Sequence, residues 1–174
     1  MCPDSFRAEH TSARGIIPLQ EKQKEGPMSF NVLIVEDQPL IALNLQDTIE
    51  GLGHHSIGIA SNMHQAFTLA DEADIALVDV NLDDGPTGPI VGQTLAEADV
   101  AVLFMTSDPG ALGGGIPGAI GVIQKPIPDA DLIDAIQYVA DRRAGRYDMP
   151  PPRGLVEFDA EVATAQGPQN ALAR

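Results

Sequence analysis

The chain has 174 residues, of which 25 are acidic and 10 basic, giving a formal net charge of −15 and a pI near 4.3. Such a surface repels phosphate backbones and anionic lipid heads, so neither nucleic acid nor a membrane surface is expected as a direct partner. A hydrophobic fraction of 44% argues against global disorder, and the single cysteine, Cys2, excludes an internal disulfide framework.

Residues 1–28 mix charges with Pro, Gly, Ser and Gln without a sustained apolar period, and are expected to be a flexible extension. Met28 stands directly before the first apolar run and offers an alternative start of translation. The chain shows no apolar run near the roughly 18 residues of a membrane span and no apolar stretch of a secretory signal, which leads to the expectation of a cytoplasmic protein.

From Phe30 onward, short apolar runs alternate with helix-like segments, the pattern of strand–helix units around a parallel sheet. The runs are Val32–Val35, Ile57–Ala60, Ile75–Val78, Val100–Met105 and Ile120–Ile123. They are continuous rather than alternating, as suits strands covered on both faces. Ile41, Leu45, Ile49 and Leu52 recur at helical spacing and stop at Gly51 and Gly53. A second helix is expected over 62–72 with Ser61 as its cap, and a last one over 129–143 with Leu132, Ile136, Val139 and Ala140 on one face. Gly85, Pro86, Gly88 and Pro89 predict a third helix that starts late and is short. Seven Gly or Pro residues within 109–118 predict a mobile loop in place of a regular fourth helix. Beyond Arg143 apolar residues are too sparse for a second core, so 144–174 is expected to be a flexible tail, serving as linker, docking peptide or plain disorder.

In an open parallel sheet, ligands sit beyond the carboxyl ends of the strands. There the sequence places Glu36 and Asp37, Asp79, Thr106 and Ser107, and Lys125. The segment 28–143 holds 17 acidic and three basic residues, and two of those bases, Arg142 and Arg143, close it. Lys125 is therefore the lone cation in the body of the domain. Each pair of carboxylates at about 4 Å costs about 4 kcal/mol at an effective dielectric of about 20, so either one is protonated or a cation is bound. Oxygen ligands without His or Cys favour Mg²⁺ completed by phosphate oxygens. Asp79 is then the natural nucleophile toward a phosphoryl donor, with Lys125 and Thr106 stabilising the transferred group.

The segments VLIVEDQPLIALNL, IALVDVNL, FMTS and VIQKP together resemble the response-regulator receiver domain of bacterial two-component signalling, over residues 29–143. Asp37, Asp79, Thr106 and Lys125 follow one another at intervals of 42, 27 and 19 residues, the last two shorter than is usual in that family. The resemblance implies a flavodoxin-like, doubly wound α/β fold with five parallel strands in the order 2-1-3-4-5 and shortened third and fourth helices. It implies that Asp79 is phosphorylated by a sensor histidine kinase or a histidine phosphotransfer protein. Asp37, Asp79 and the backbone carbonyl of Asn81 would bind Mg²⁺, with Glu36 acting mainly through water. Thr106, Lys125 and the N–H of Val80 would contact the phosphoryl group, and Asn81 and Asp108 would tune its hydrolysis. Such a domain is no turnover enzyme; it catalyses only its own phosphorylation and dephosphorylation. It signals through a downstream protein, docked on the last helix, the fifth strand and the Gly-rich loop, or drains phosphoryl groups from a kinase.

Val122 departs from the pattern, since many receivers carry an inward-turning Tyr or Phe there. A stiff β-branched side chain has no ring to bury, so coupling is expected through Thr106 and the Gly-rich loop. Two rival functions are a haloacid-dehalogenase-type phosphatase, which needs a second Asp where Asn81 stands, and a vestigial, unphosphorylated interaction module. His54 and His55 read as an exposed loop rather than a metal site, and His64 as a surface residue. The glycines of 113–118 match a dinucleotide fingerprint only formally, because they precede a strand rather than open a helix.

Overall fold

The computed structural model describes residues 28–158. Its strands are β1 (Asn31–Val35), β2 (His55–Ala60), β3 (Ile75–Asp79), β4 (Ala101–Thr106), β5 (Gly121–Gln124) and β6 (Leu155–Glu157). Its helices are α1 (Pro39–Gly51), α2 (Met63–Leu69), α3 (Gly88–Glu97) and α4 (Asp129–Arg143). The five parallel strands take the expected order, and β6 joins the β5 edge antiparallel, giving β2-β1-β3-β4-β5-β6.

Helices cover both faces, which is why the strand runs are apolar throughout. Val32 and Ile34 of β1 enter the layer under α1 and α4, with Leu45, Ile49, Leu132 and Ile136. Leu33 and Val35 enter the opposite layer under α2 and α3, with Ala66, Val91 and Leu95. Burying each such Val, Leu or Ile side chain is worth about 1.5–3 kcal/mol, so the two layers fix strand register as well as stability.

Local chemistry sets the boundaries. α2 is capped by Asn62 rather than Ser61: the Asn62 side chain accepts from the Gln65 N–H, while the Gln65 side chain accepts from the Ser61 N–H at 2.9 Å. The helix then tightens into a 3₁₀ turn over Ala70–Glu72. α3 spans ten residues behind Pro89 at its start. Between β4 and β5 the only regular piece is a 3₁₀ turn, Pro109–Leu112, capped by the Asp108 carboxylate on the Gly110 N–H. α4 has Asp129 and Asp131 in its first turn and Arg142 and Arg143 in its last, each sign matched to the helix dipole.

Two further expectations need correction. The sheet has six strands, not five, because the start of the supposed flexible tail is ordered as β6. Leu155 is buried in the α1–α4 layer, the Tyr138 hydroxyl donates to Glu157 at 2.5 Å, and Arg142 pairs with the same carboxylate. Arg142 also lies 5.4 Å over the Tyr138 ring and 4.9 Å over that of Tyr147. His54, read as exposed, is half-buried: its ring packs on Phe30, its Nδ1 accepts from the Phe30 N–H, and burial lowers its pKa. His55 opens β2, and His64 is exposed on α2. The expectations for Cys2, for the rest of the N-terminal extension up to residue 27, and for 159–174 lie outside the described residues. No helix among the described residues is long and apolar enough to cross a membrane.

Candidate functional site

The carboxyl ends of β1, β3, β4 and β5 meet at one edge of the sheet. β1 runs on into Glu36, whose N–H still bonds the Ala60 carbonyl of β2 at 2.9 Å, and then into Asp37. β3 ends at Asp79, paired with Met105 of β4. The Lys125 N–H bonds the Thr106 carbonyl at 2.8 Å and so ties the end of β5 to that of β4.

Glu36, Asp37 and Asp79 each offer a carboxylate oxygen, and these oxygens lie within 4.8 Å of one another. Lys125 bridges two of them, with Nζ at 2.5 Å from Glu36 Oε2 and 2.8 Å from Asp79 Oδ2. Glu36 is 1% exposed, and burial pushes its carboxyl above the usual range, against the opposing pull of Lys125 and with a further push from Asp79. Its second oxygen accepts from the Gln38 N–H at 3.2 Å. The Asn81 N–H points at Asp79 Oδ1 from 3.5 Å. Behind Asp79 the start of α3 approaches so closely that a Cβ on Gly88 would lie 1.9 Å from the Asp79 carbonyl oxygen. Glycine there lets the helix abut the strand that carries Asp79.

Three carboxylates against one ammonium leave the cluster short of positive charge, and every donor is an oxygen. That donor set fits a hard divalent cation such as Mg²⁺. A cleft of about 640 Å³ opens beside the cluster, lined by Asp37, Asp79, Asn81 and Lys125 and by the apolar Leu40 and Ile127.

Thr106 is fully buried, and its hydroxyl accepts from the Asp108 N–H at 3.2 Å. Asp108 is exposed and spends its carboxylate on Gly110. Val80 is buried and Asn81 exposed. Val122 lies in the α2–α3 layer, paired with Val156 of β6. The structure thus joins Glu36, Asp37, Asp79, Asn81 and Lys125 in one site, sets Thr106 at the adjoining strand end, and leaves Val122 in the core. Gln38 and Ser107 also line the cleft. Ser107 stands among the strand-end residues read from the sequence, whereas the signal for Gln38 is only positional, directly after Asp37.

The family model of the response regulator receiver domain matches residues 32–137, more than half of the chain. The phyllosphere-induced regulator PhyR of Methylorubrum extorquens is 33% identical over 127 residues, 70% of this chain and 48% of PhyR. The solution structure of the receiver domain of PhyR from Erythrobacter litoralis superposes with a TM-score of 0.58 at 29% identity, covering 70% of this chain and 95% of that domain. A crystal structure of a variant of the anti-anti-sigma factor PhyR from Bartonella quintana gives 0.55 at 25% identity, covering 68% of this chain and 49% of that one. The chain therefore spans about half the length of the curated PhyR that it matches.

Proposed function

The chain belongs to the response regulator receiver family, and from that premise we propose that Asp79 accepts a phosphoryl group, with Mg²⁺, from a sensor histidine kinase or a histidine phosphotransfer protein. The observation that carries this reading is the trio Glu36, Asp37 and Asp79 within 4.8 Å, with Lys125 bridging Glu36 and Asp79 at the mouth of a parallel sheet.

In the proposed reaction an Asp79 carboxylate oxygen attacks the phosphorus of a phosphohistidine. A new P–O bond forms as the P–N bond breaks; its electron pair stays on the imidazole nitrogen, which takes up a proton from solvent. Lys125 holds Asp79 Oδ2 in place beforehand and follows the negative charge onto the transferred group. Thr106 donates its hydroxyl to that group, and the N–H of Val80 adds a second donor. Asp37, Asp79 and the Asn81 carbonyl would hold Mg²⁺, with Glu36 acting through water, and the bound ion would supply charge neutralisation for the phosphoryl oxygens. Asn81 and Asp108 set the lifetime of the phosphoaspartate.

The product is a cytoplasmic signalling state or a phosphate sink rather than a released metabolite. Likeness to PhyR, represented among solved structures by an anti-anti-sigma factor, supports output through a protein partner. The test is incubation of the full chain with Mg²⁺ and acetyl phosphate, followed by intact-mass and peptide analysis. A single adduct at Asp79 is expected, abolished by removing Mg²⁺ or by Asp79→Asn; an adduct elsewhere, or none, rules the reading out.

A further inference from the structure

The chain returns to the sheet after α4, and what it does there bears on the site. β6 pairs with β5 through Leu155, Val156 and Glu157, opposite Ile123, Val122 and Gly121, and the Phe158 N–H adds a bond to the Ile120 carbonyl at 3.0 Å. Side chains alternate along it. Leu155 and Glu157 face α4, while Phe158 enters the opposite layer and meets Phe104, ring centroids 6.2 Å apart at 44°. That layer has no regular helix between β4 and β5 to close it, and the ring of Phe158 lies directly against Gly115 of the loop that stands there.

Phe104 is the link to the site. It sits two residues before Thr106 on the same strand, and so on the same face, and is fully buried. On one side it touches α3 so tightly that a Cβ on Gly92 would lie 2.2 Å from its ring. That side has no slack, because packed interiors transmit displacement rather than absorb it. Its ring also meets that of Phe158, which directly follows a strand of three residues. A second link runs along β5, where Val122, opposite Val156, lies three residues before Lys125. A shift at the ends of β4 and β5 therefore has its softest outlet at the tail.

We propose that residues 155–158 are a releasable cover on the β5 edge, docked in the unphosphorylated protein and freed when Asp79 carries a phosphoryl group. Once freed, they uncover the backbone N–H and C=O groups of β5, the seat of Leu155 and the ring of Phe104. A short edge strand is drawn from the low-stability end of a fold, which makes it a suitable element for release. This proposal rests on the phosphoacceptor reading above.

The test uses the full chain, with and without acetyl phosphate and Mg²⁺, and reads two quantities from the same sample: the adduct at Asp79 by mass, and amide exchange in the peptide that contains 155–158. In the phosphorylated fraction exchange there is expected to be about tenfold faster, returning as the phosphoryl group is lost. Asp79→Asn should show no response. Phe158→Ala should exchange rapidly even when unmodified, while still taking up the adduct. An adduct with unchanged or slower exchange at 155–158 overturns the release but leaves the phosphoacceptor reading standing. The absence of any adduct overturns both, and the mass tells the two failures apart. Slow exchange in unmodified Phe158→Ala would remove Phe158 from its role as anchor and the proposal with it.

Discussion

Lys125 shows how one residue acquires a role from its neighbours. It bridges Glu36, buried to 1% exposure, and Asp79, and in the sequence it is the only Lys or Arg between Met28 and Asp141. Replacing it by Met leaves a buried carboxylate without its cation. The expected loss is about 1–3 kcal/mol in metal-free urea unfolding, partly restored by Mg²⁺, which the wild type needs less. Equal stability of the two proteins without metal would show that the bridge carries no weight. The site was legible at this scale because strand ends in a parallel sheet converge whatever the loops do, so Glu36, Asp37, Asp79 and Lys125 could be named from position alone. Asp108 was not legible in the same way. Its carboxylate turns onto the Gly110 N–H, a local choice among backbone donors that sequence spacing does not encode.

Among the elements, the apolar runs located β1 to β5 and the helical period located α4 to the residue, since both rest on burial in two packed layers. β6 escaped because it rests on something else: a single buried apolar side chain, backbone pairing and one carboxylate shared by Tyr138 and Arg142. That carboxylate has a measurable signature. Burial, together with the hydrogen bond to Glu157, pushes the Tyr138 hydroxyl up to about 12 from a reference of 10.0. The folded value is the higher one, so stability linked to this hydroxyl is fully present below pH 10 and is lost as pH rises toward 12. Phenolate absorbance should therefore show Tyr138 ionising near pH 12, and Glu157→Gln should lower that midpoint. A midpoint unmoved by Glu157→Gln would mean that burial alone sets it. α3 supplies a second test at this scale. Gly92→Ala forces a Cβ to within 2.2 Å of Phe104, and the overpacking is expected to cost about 1–3 kcal/mol in thermal or urea unfolding; an unchanged midpoint would show that the α3–β4 contact yields freely.

Across the whole molecule the charge of −15 becomes a kinetic property of the site. The negative field of the domain concentrates divalent cations at the cluster of Glu36, Asp37 and Asp79 and depletes small anions from its cleft. A small anionic phosphodonor must climb that field, whereas a protein donor can offset it with basic residues on its docking face. Added salt screens the field, since the Debye length falls from about 30 Å at 0.01 M to about 8 Å at 0.15 M. The rate of Asp79 modification by acetyl phosphate, at saturating Mg²⁺, is therefore expected to rise about two- to fivefold as sodium chloride is added over that range. Transfer from a basic protein donor is expected to slow over the same range, because there the field is attractive. Parallel rate measurements with the two donors decide the matter. Equal salt dependence, whatever its sign, would show that the acidic surface lies too far from the cleft to act on what enters it.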